Sequence, residues 1–143
     1  MTGKADFTPE EWNLVREAPP AAGMIVLTAS HGGTFRETWA LAKTYVEARQ
    51  QHGASALLDD LVAEKPDVPH YHSAQEAEAQ GLQRIGEAAA LLAEKADPSE
   101  VEAYKRFTLD VAQRVAEAHK EEGTAVSPEE QAAIEKVTAT LNA

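Results

Sequence analysis

Two histidines one residue apart, in His70-Tyr71-His72, are the first side chains whose type and spacing point to chemistry. In an extended segment, residues two apart project the same way, so both imidazoles could reach one metal ion. Glu76 or Glu78, at the start of the helix that follows, would supply a carboxylate ligand. The spacing predicts a divalent-metal site at His70, His72 and Glu76. The competing expectation is a surface connector that Tyr71 anchors to the core.

Three further groups compete with it. Glu121 and Glu122 precede Gly123, and Glu129 and Glu130 follow Ser127-Pro128. Carboxylates in the last turn of a helix face the negative end of its dipole, and a bound divalent cation would offset that penalty. Glu121 and Glu122 are therefore a second candidate pair of metal ligands, against the expectation of a solvated acidic rim. The segment lacks the alternating oxygen ligands of a calcium loop. Ser30-His31-Gly32-Gly33-Thr34 is a Gly-rich loop ahead of a helix, where free amides could hold an anion, with Arg36 nearby. It is the basis of one alternative, a small-molecule sensor or enzyme, although no G-x-S-x-G elbow accompanies it. Asp59 and Asp60 are neighbours in a helical segment and so point about 100° apart, too divergent to share a proton or metal. Trp12 and Trp39 fit core or interface anchors better than ligand-stacking groups. No catalytic set and no cofactor motif is evident, and a divalent metal is the one cofactor that the sequence leaves open.

The elements that must position these residues are helices. Thr8-Pro9-Glu10-Glu11, Asp97-Pro98-Ser99-Glu100 and Ser127-Pro128-Glu129-Glu130 each place a capping oxygen, a proline without an orphan amide, and an acid at the third helical position. Thr34-Phe35-Arg36-Glu37 and Ser73-Ala74-Gln75-Glu76 are capping boxes without the proline. Stops are expected at Pro19-Pro20, His31-Gly32-Gly33, Gly53, Pro66 and Gly123. The predicted spans are 9–18, 20–30, 35–51, 55–64, 74–95, 98–121 and 128–141. Apolar stripes support them: Phe35, Trp39, Ala42, Val46 and Arg49 in the third; Leu82, Ile85, Ala89 and Leu92 in the fifth; Val101, Tyr104, Thr108, Val111, Val115 and Ala118 in the sixth. The second, Ala21-Ala22-Gly23-Met24-Ile25-Val26-Leu27, is apolar all round and is expected at the centre, with Gly23 admitting a close neighbour. No segment alternates as a strand would. The expected fold is all-α, a compact orthogonal or irregular bundle of about seven helices without a sheet. One domain spans 1–143, with four front helices over 7–64, a connector over 65–73 and three back helices over 74–143.

Composition limits the partners. A net charge of −11 with only 13 scattered basic residues disfavours nucleic acid and anionic bilayers. The absence of cysteine excludes disulfides and thiolate chemistry. The longest apolar run, Ala21 to Leu27 continued by Thr28-Ala29, is far short of the ~20 residues of a membrane helix. The N-terminus has no signal pattern, so the expected location is the cytoplasm.

The last third, Val115-Ala116-Glu117-Ala118 through Glu121-Glu122-Gly123-Thr124-Ala125-Val126-Ser127-Pro128-Glu129-Glu130-Gln131-Ala132-Ala133-Ile134, resembles the helix–turn–helix unit of TerB-like (tellurite-resistance-type) proteins. The shared features are an alanine-rich helix, an acid before Gly, and Val-Ser-x-x-Glu opening the next helix. Glu122 stands where that family has Asp, and Thr124-Ala125 separate Gly123 from Val126. The resemblance implies an all-helical cytoplasmic bacterial protein associated with stress response, and the chain as a whole looks like a bacterial helical family. The leading expectation is a non-enzymatic binding or scaffold protein, with a homodimer favoured by its Ala-rich helices. The alternatives are a divalent-metal-binding or metal-dependent protein and the small-molecule sensor or enzyme at residues 31–34.

Overall fold

The computed structural model describes residues 3–29, 35–51, 53, 55–121 and 126–143, with side chains at all of these except 35–38 and 119–121. Among the described residues there are six α-helices and no strand: α1 (Pro9–Ala29), α2 (Phe35–Gln50), α3 (Ala56–Ala63), α4 (Ala74–Lys95), α5 (Pro98–Glu121) and α6 (Pro128–Leu141), preceded by a 3-10 turn at Lys4–Asp6.

The start of α1 forms as its sequence dictates. The Glu11 amide donates to Thr8 Oγ1 at 3.2 Å, and the Thr8 amide donates to the Glu11 carboxylate at 2.9 Å. Phe7, just before the cap, packs on Trp12 with ring centroids 5.8 Å apart, a hydrophobic staple that fixes the entry of the chain. Ser127 and Glu130 make the same reciprocal pair at α6.

The expected break at Pro19-Pro20 does not occur. The first two predicted helices are one 21-residue helix that runs through both prolines, so six helices replace seven. An interior proline costs about 3 kcal/mol because it removes one backbone bond and crowds the preceding turn. Pro19 leaves the carbonyl of Val15 without its i+4 donor. The buried Tyr104 hydroxyl of α5 donates to that carbonyl at 2.8 Å. Pro19 and Pro20 are themselves buried, with Ala18, Ala21 and Ala22 beside them. Burial and one borrowed hydroxyl hold together a helix that local sequence would split.

The centre of the molecule is the apolar second half of α1, as its composition predicts. α1 packs chiefly against α4 and α5 and also meets α6 and α2. Gly23 permits the approach: a Cβ there would lie 2.8 Å from Leu41 Cδ1 of α2 and 3.1 Å from Val111 Cγ1 of α5. One connected core joins Trp12, Val15, Ile25 and Val26 to Leu41, Tyr45, Leu57, Ile85, Leu92, Tyr104, Val111 and Val137. The predicted α5 stripe is buried at Tyr104, Thr108, Val111, Val115 and Ala118.

The short α3 is held from outside. Ser55 Oγ accepts from the Leu58 amide at 3.3 Å, and the carboxylate of Glu100, itself buried, accepts from the Leu57 amide at 3.1 Å. Glu100 was expected to close the capping box of its own helix with Asp97. Its carboxylate also reaches the neighbouring helix. At the other end of α3, Glu64 gathers the Trp12 indole N–H at 2.7 Å, Lys4 at 3.4 Å and Arg16 at 3.7 Å.

Candidate functional site

The apolar stripe of α2 at Trp39, Ala42 and Val46 is turned outward. Trp39 is 54% exposed and Val46 47%, and they are the exposed large hydrophobic side chains among the described residues. Ala42, between them, is exposed as well. The buried side of α2 is Leu41, Thr44 and Tyr45. Thr44 is accommodated because its hydroxyl donates to the Ala40 carbonyl at 2.9 Å, within its own helix. Tyr45 packs edge-on against Phe107 of α5, with centroids 5.1 Å apart and an interplanar angle of 76°. Its hydroxyl is buried without a hydrogen-bond partner. Burial pushes that phenol well above its ordinary range, against the pull of Arg16 and Arg49.

Successive residues of an α-helix turn by about 100°, so Trp39, Ala42 and Val46 share one stripe, with Lys43 and Arg49 on opposite flanks. The Lys43 ammonium lies 5.1 Å from the Trp39 ring centroid, a cation–π contact. The Arg49 guanidinium donates to two backbone carbonyls, those of Val62 and Glu64. Among the described residues, neither Lys43 nor Arg49 has a carboxylate within ion-pair distance. Glu47, beyond Lys43, is paired with Arg114 of α5 at 2.7 Å. That hydrogen bond holds the Glu47 carboxyl below the usual carboxylate range and raises Arg114. A cleft of about 240 Å³ opens beside this pair, between α2, α3 and α5, with Arg106, Asp110 and Asp59 on its walls.

Of the residues singled out for metal binding, Glu76 caps its own helix. The Glu76 carboxylate accepts from the His72 amide and from the Gln80 side-chain amide, the latter at 3.0 Å, while the Glu76 amide donates to Ser73 Oγ at 3.0 Å. Each carboxylate oxygen of Glu76 thus accepts one hydrogen bond at the start of α4. His70 lines a separate cleft of about 210 Å³ with Glu17, Asp67, Tyr71, Gln80 and Arg84. Tyr71 is partly buried there, as an anchor of the connector would be; burial and the Glu17 charge push its phenol upward. Among the described residues, no group of three or more His, Asp or Glu side chains could hold a metal ion. Glu122 and the side chain of Glu121 lie outside the described residues, as does the loop at 30–34. Glu130 is a buried capping residue rather than part of a solvated rim: its carboxylate accepts from the Ser127 amide at 3.0 Å. Asp59 and Asp60 diverge as expected, Asp59 to the Gly53 amide and Asp60 to the Lys4 amide.

The outward turn of Trp39 was within reach of the sequence in one respect. Lys43 and Arg49 bracket the stripe, and cations on both flanks are a mark of a solvated face. The gathering of Lys4, Arg16 and Trp12 on Glu64 has no such mark, because its members are far apart in the chain. Compared with known proteins, the sequence matches no family model, and neither curated proteins nor solved structures give a match to it.

Proposed function

We propose that this chain is a non-enzymatic binding protein whose contact surface is the outward face of α2. The observation that carries the reading is the exposure of Trp39 and Val46 on one stripe of one helix, in a molecule whose other large apolar side chains are buried or half-buried among the described residues. Tryptophan and arginine are among the side chains most enriched at the energetic centres of protein interfaces. A stress-related role in the bacterial cytoplasm belongs to the same proposal and rests on the resemblance of residues 115–134 to TerB-like proteins.

Oxidative footprinting tests the contact surface without knowledge of the partner. In the purified, dilute chain Trp39 should oxidise readily while Trp12, which is buried, does not. In cells producing the chain, Trp39 should be protected relative to an exposed oxidisable reference such as His72. Equal oxidation of Trp39 in both settings would remove the reading. Protection that rises with the concentration of the purified chain would identify a homodimer as the bound form.

A further inference from the structure

The charges around the stripe say what should cover it. Trp39 and Val46 form the ridge, with Lys43 on one flank and Arg49, which donates to two backbone carbonyls, on the other; among the described residues neither has a carboxylate within ion-pair distance. On the Lys43 side, the Glu47 carboxylate is paired with Arg114 and also feels the Lys43 charge, while Asp110 and Glu117 lie near the same guanidinium. The charged side chains nearest the ridge by helical spacing, Lys43 and Arg49, are both cations, on a chain of net charge −11. At physiological ionic strength charges are screened within about 8 Å, so the flanks of this face weigh more in a docked complex than the distant acids.

We propose that the occupant of this face is an acidic amphipathic helix of another protein. It would lie along α2 with an apolar side chain against Trp39 and Val46 and carboxylates toward Lys43 and Arg49. The proposal rests on the reading of α2 as the contact surface and adds the identity of what it contacts. From Trp39 to Val46 the stripe rises about 10 Å, two turns of helix, which suits anchors spaced i, i+3 or i+4, and i+7 on a partner helix. A second copy of the chain fits less well. A two-fold contact sets the same patch against itself, and antiparallel helices bring like flanks together, Lys43 toward Lys43 and Arg49 toward Arg49. An anionic bilayer is opposed by the acidic remainder of the surface, and a basic helix by both flanking cations.

The test uses two labelled amphipathic peptides, one built of Leu and Glu and one of Leu and Lys, with phosphatidylglycerol vesicles as a third arm. Binding is followed by anisotropy or co-sedimentation for the unmodified chain, Trp39→Ser and Lys43→Glu, each checked for unchanged helicity, alongside sedimentation velocity of the chain alone. The Leu/Glu peptide should bind, should lose binding with Trp39→Ser and should weaken by about tenfold with Lys43→Glu. Any attraction of the Leu/Lys peptide to the acidic chain at large should not depend on Trp39. Trp39-dependent binding of the Leu/Lys peptide or of vesicles would overturn the acidic occupant while leaving α2 as the contact surface. The same holds for Trp39-dependent self-association without peptide binding, or for Leu/Glu binding indifferent to Lys43→Glu. If no arm depends on Trp39, the contact surface and its occupant fall together.

Discussion

Tyr104 shows how one hydroxyl can decide the course of a backbone. Its bond to the Val15 carbonyl replaces the donor that Pro19 lacks, deep in the core. Tyr104→Phe should therefore leave a buried carbonyl unsatisfied and lower the unfolding free energy by about 1–3 kcal/mol in a denaturant titration. Pro19→Ala restores a backbone donor to that carbonyl, so in its background Tyr104→Phe should be nearly neutral; equal losses in both backgrounds would contradict the role given to the hydroxyl. Trp39 is the opposite case, a large side chain on which the fold does not lean. Trp39→Ser with Val46→Ser should change stability by no more than about 0.5 kcal/mol, whereas truncating a packed tryptophan costs about 3–5. Thermal and denaturant midpoints of the purified chain distinguish the two. Residue-level features were legible in the sequence where their partners were close along it. Thr8 with Glu11 and Ser127 with Glu130 sit three residues apart and form as written. Glu100 has, in addition, a partner that the sequence does not mark: its carboxylate accepts from the amide of Leu57, 43 residues away.

At the scale of the element, periodicity establishes that a helix has faces but not which one is covered. In α2 both Trp39-Ala42-Val46 and Leu41-Thr44-Tyr45 keep helical spacing. Apolar character favours the first set, and the structure buries the second, whose threonine and tyrosine disguise it. Gly23 was a better guide to its helix. A missing side chain in an apolar run marked where Leu41 and Val111 come close. α3, eight residues long, is below the length at which a helix stands alone, so its caps matter more than its propensity. Glu100→Ala removes the buried acceptor for the Leu57 amide and should speed hydrogen exchange at Leu57 and Leu58 while lowering stability by about 1–3 kcal/mol. Glu100→Gln keeps a side-chain oxygen in place and should retain most of that protection. Equal exchange in both variants would mean that α3 is held by its apolar face alone.

At the scale of the whole molecule, charge and acid stability are linked. Burial would raise the Glu64 carboxyl, but the Trp12 indole, Arg16 and Lys4 outweigh it and hold it below the ordinary range. Glu11 is held low by Lys95 and the Thr8 amide, and Glu47 by Arg114. A carboxyl depressed in the folded state stabilises the fold above its unfolded pKa, near 4.3, and the gain is lost as pH falls through the folded value. Stability should thus hold down to about pH 5 and drop below about pH 4. Glu64→Gln should flatten that acid limb in denaturation curves across pH, and an unaltered limb would remove Glu64 from the account. The continuity of α1 has a different consequence, one of timing. The donor that closes its proline gap comes from a residue 89 positions further along, so the helix cannot become continuous until α5 has docked. Its two halves, Pro9–Ala18 and Ala21–Ala29, should nucleate separately and fuse late. Tyr104→Phe should accordingly speed unfolding and scarcely slow refolding, which would make this helix a product of the tertiary fold and not one of its building blocks.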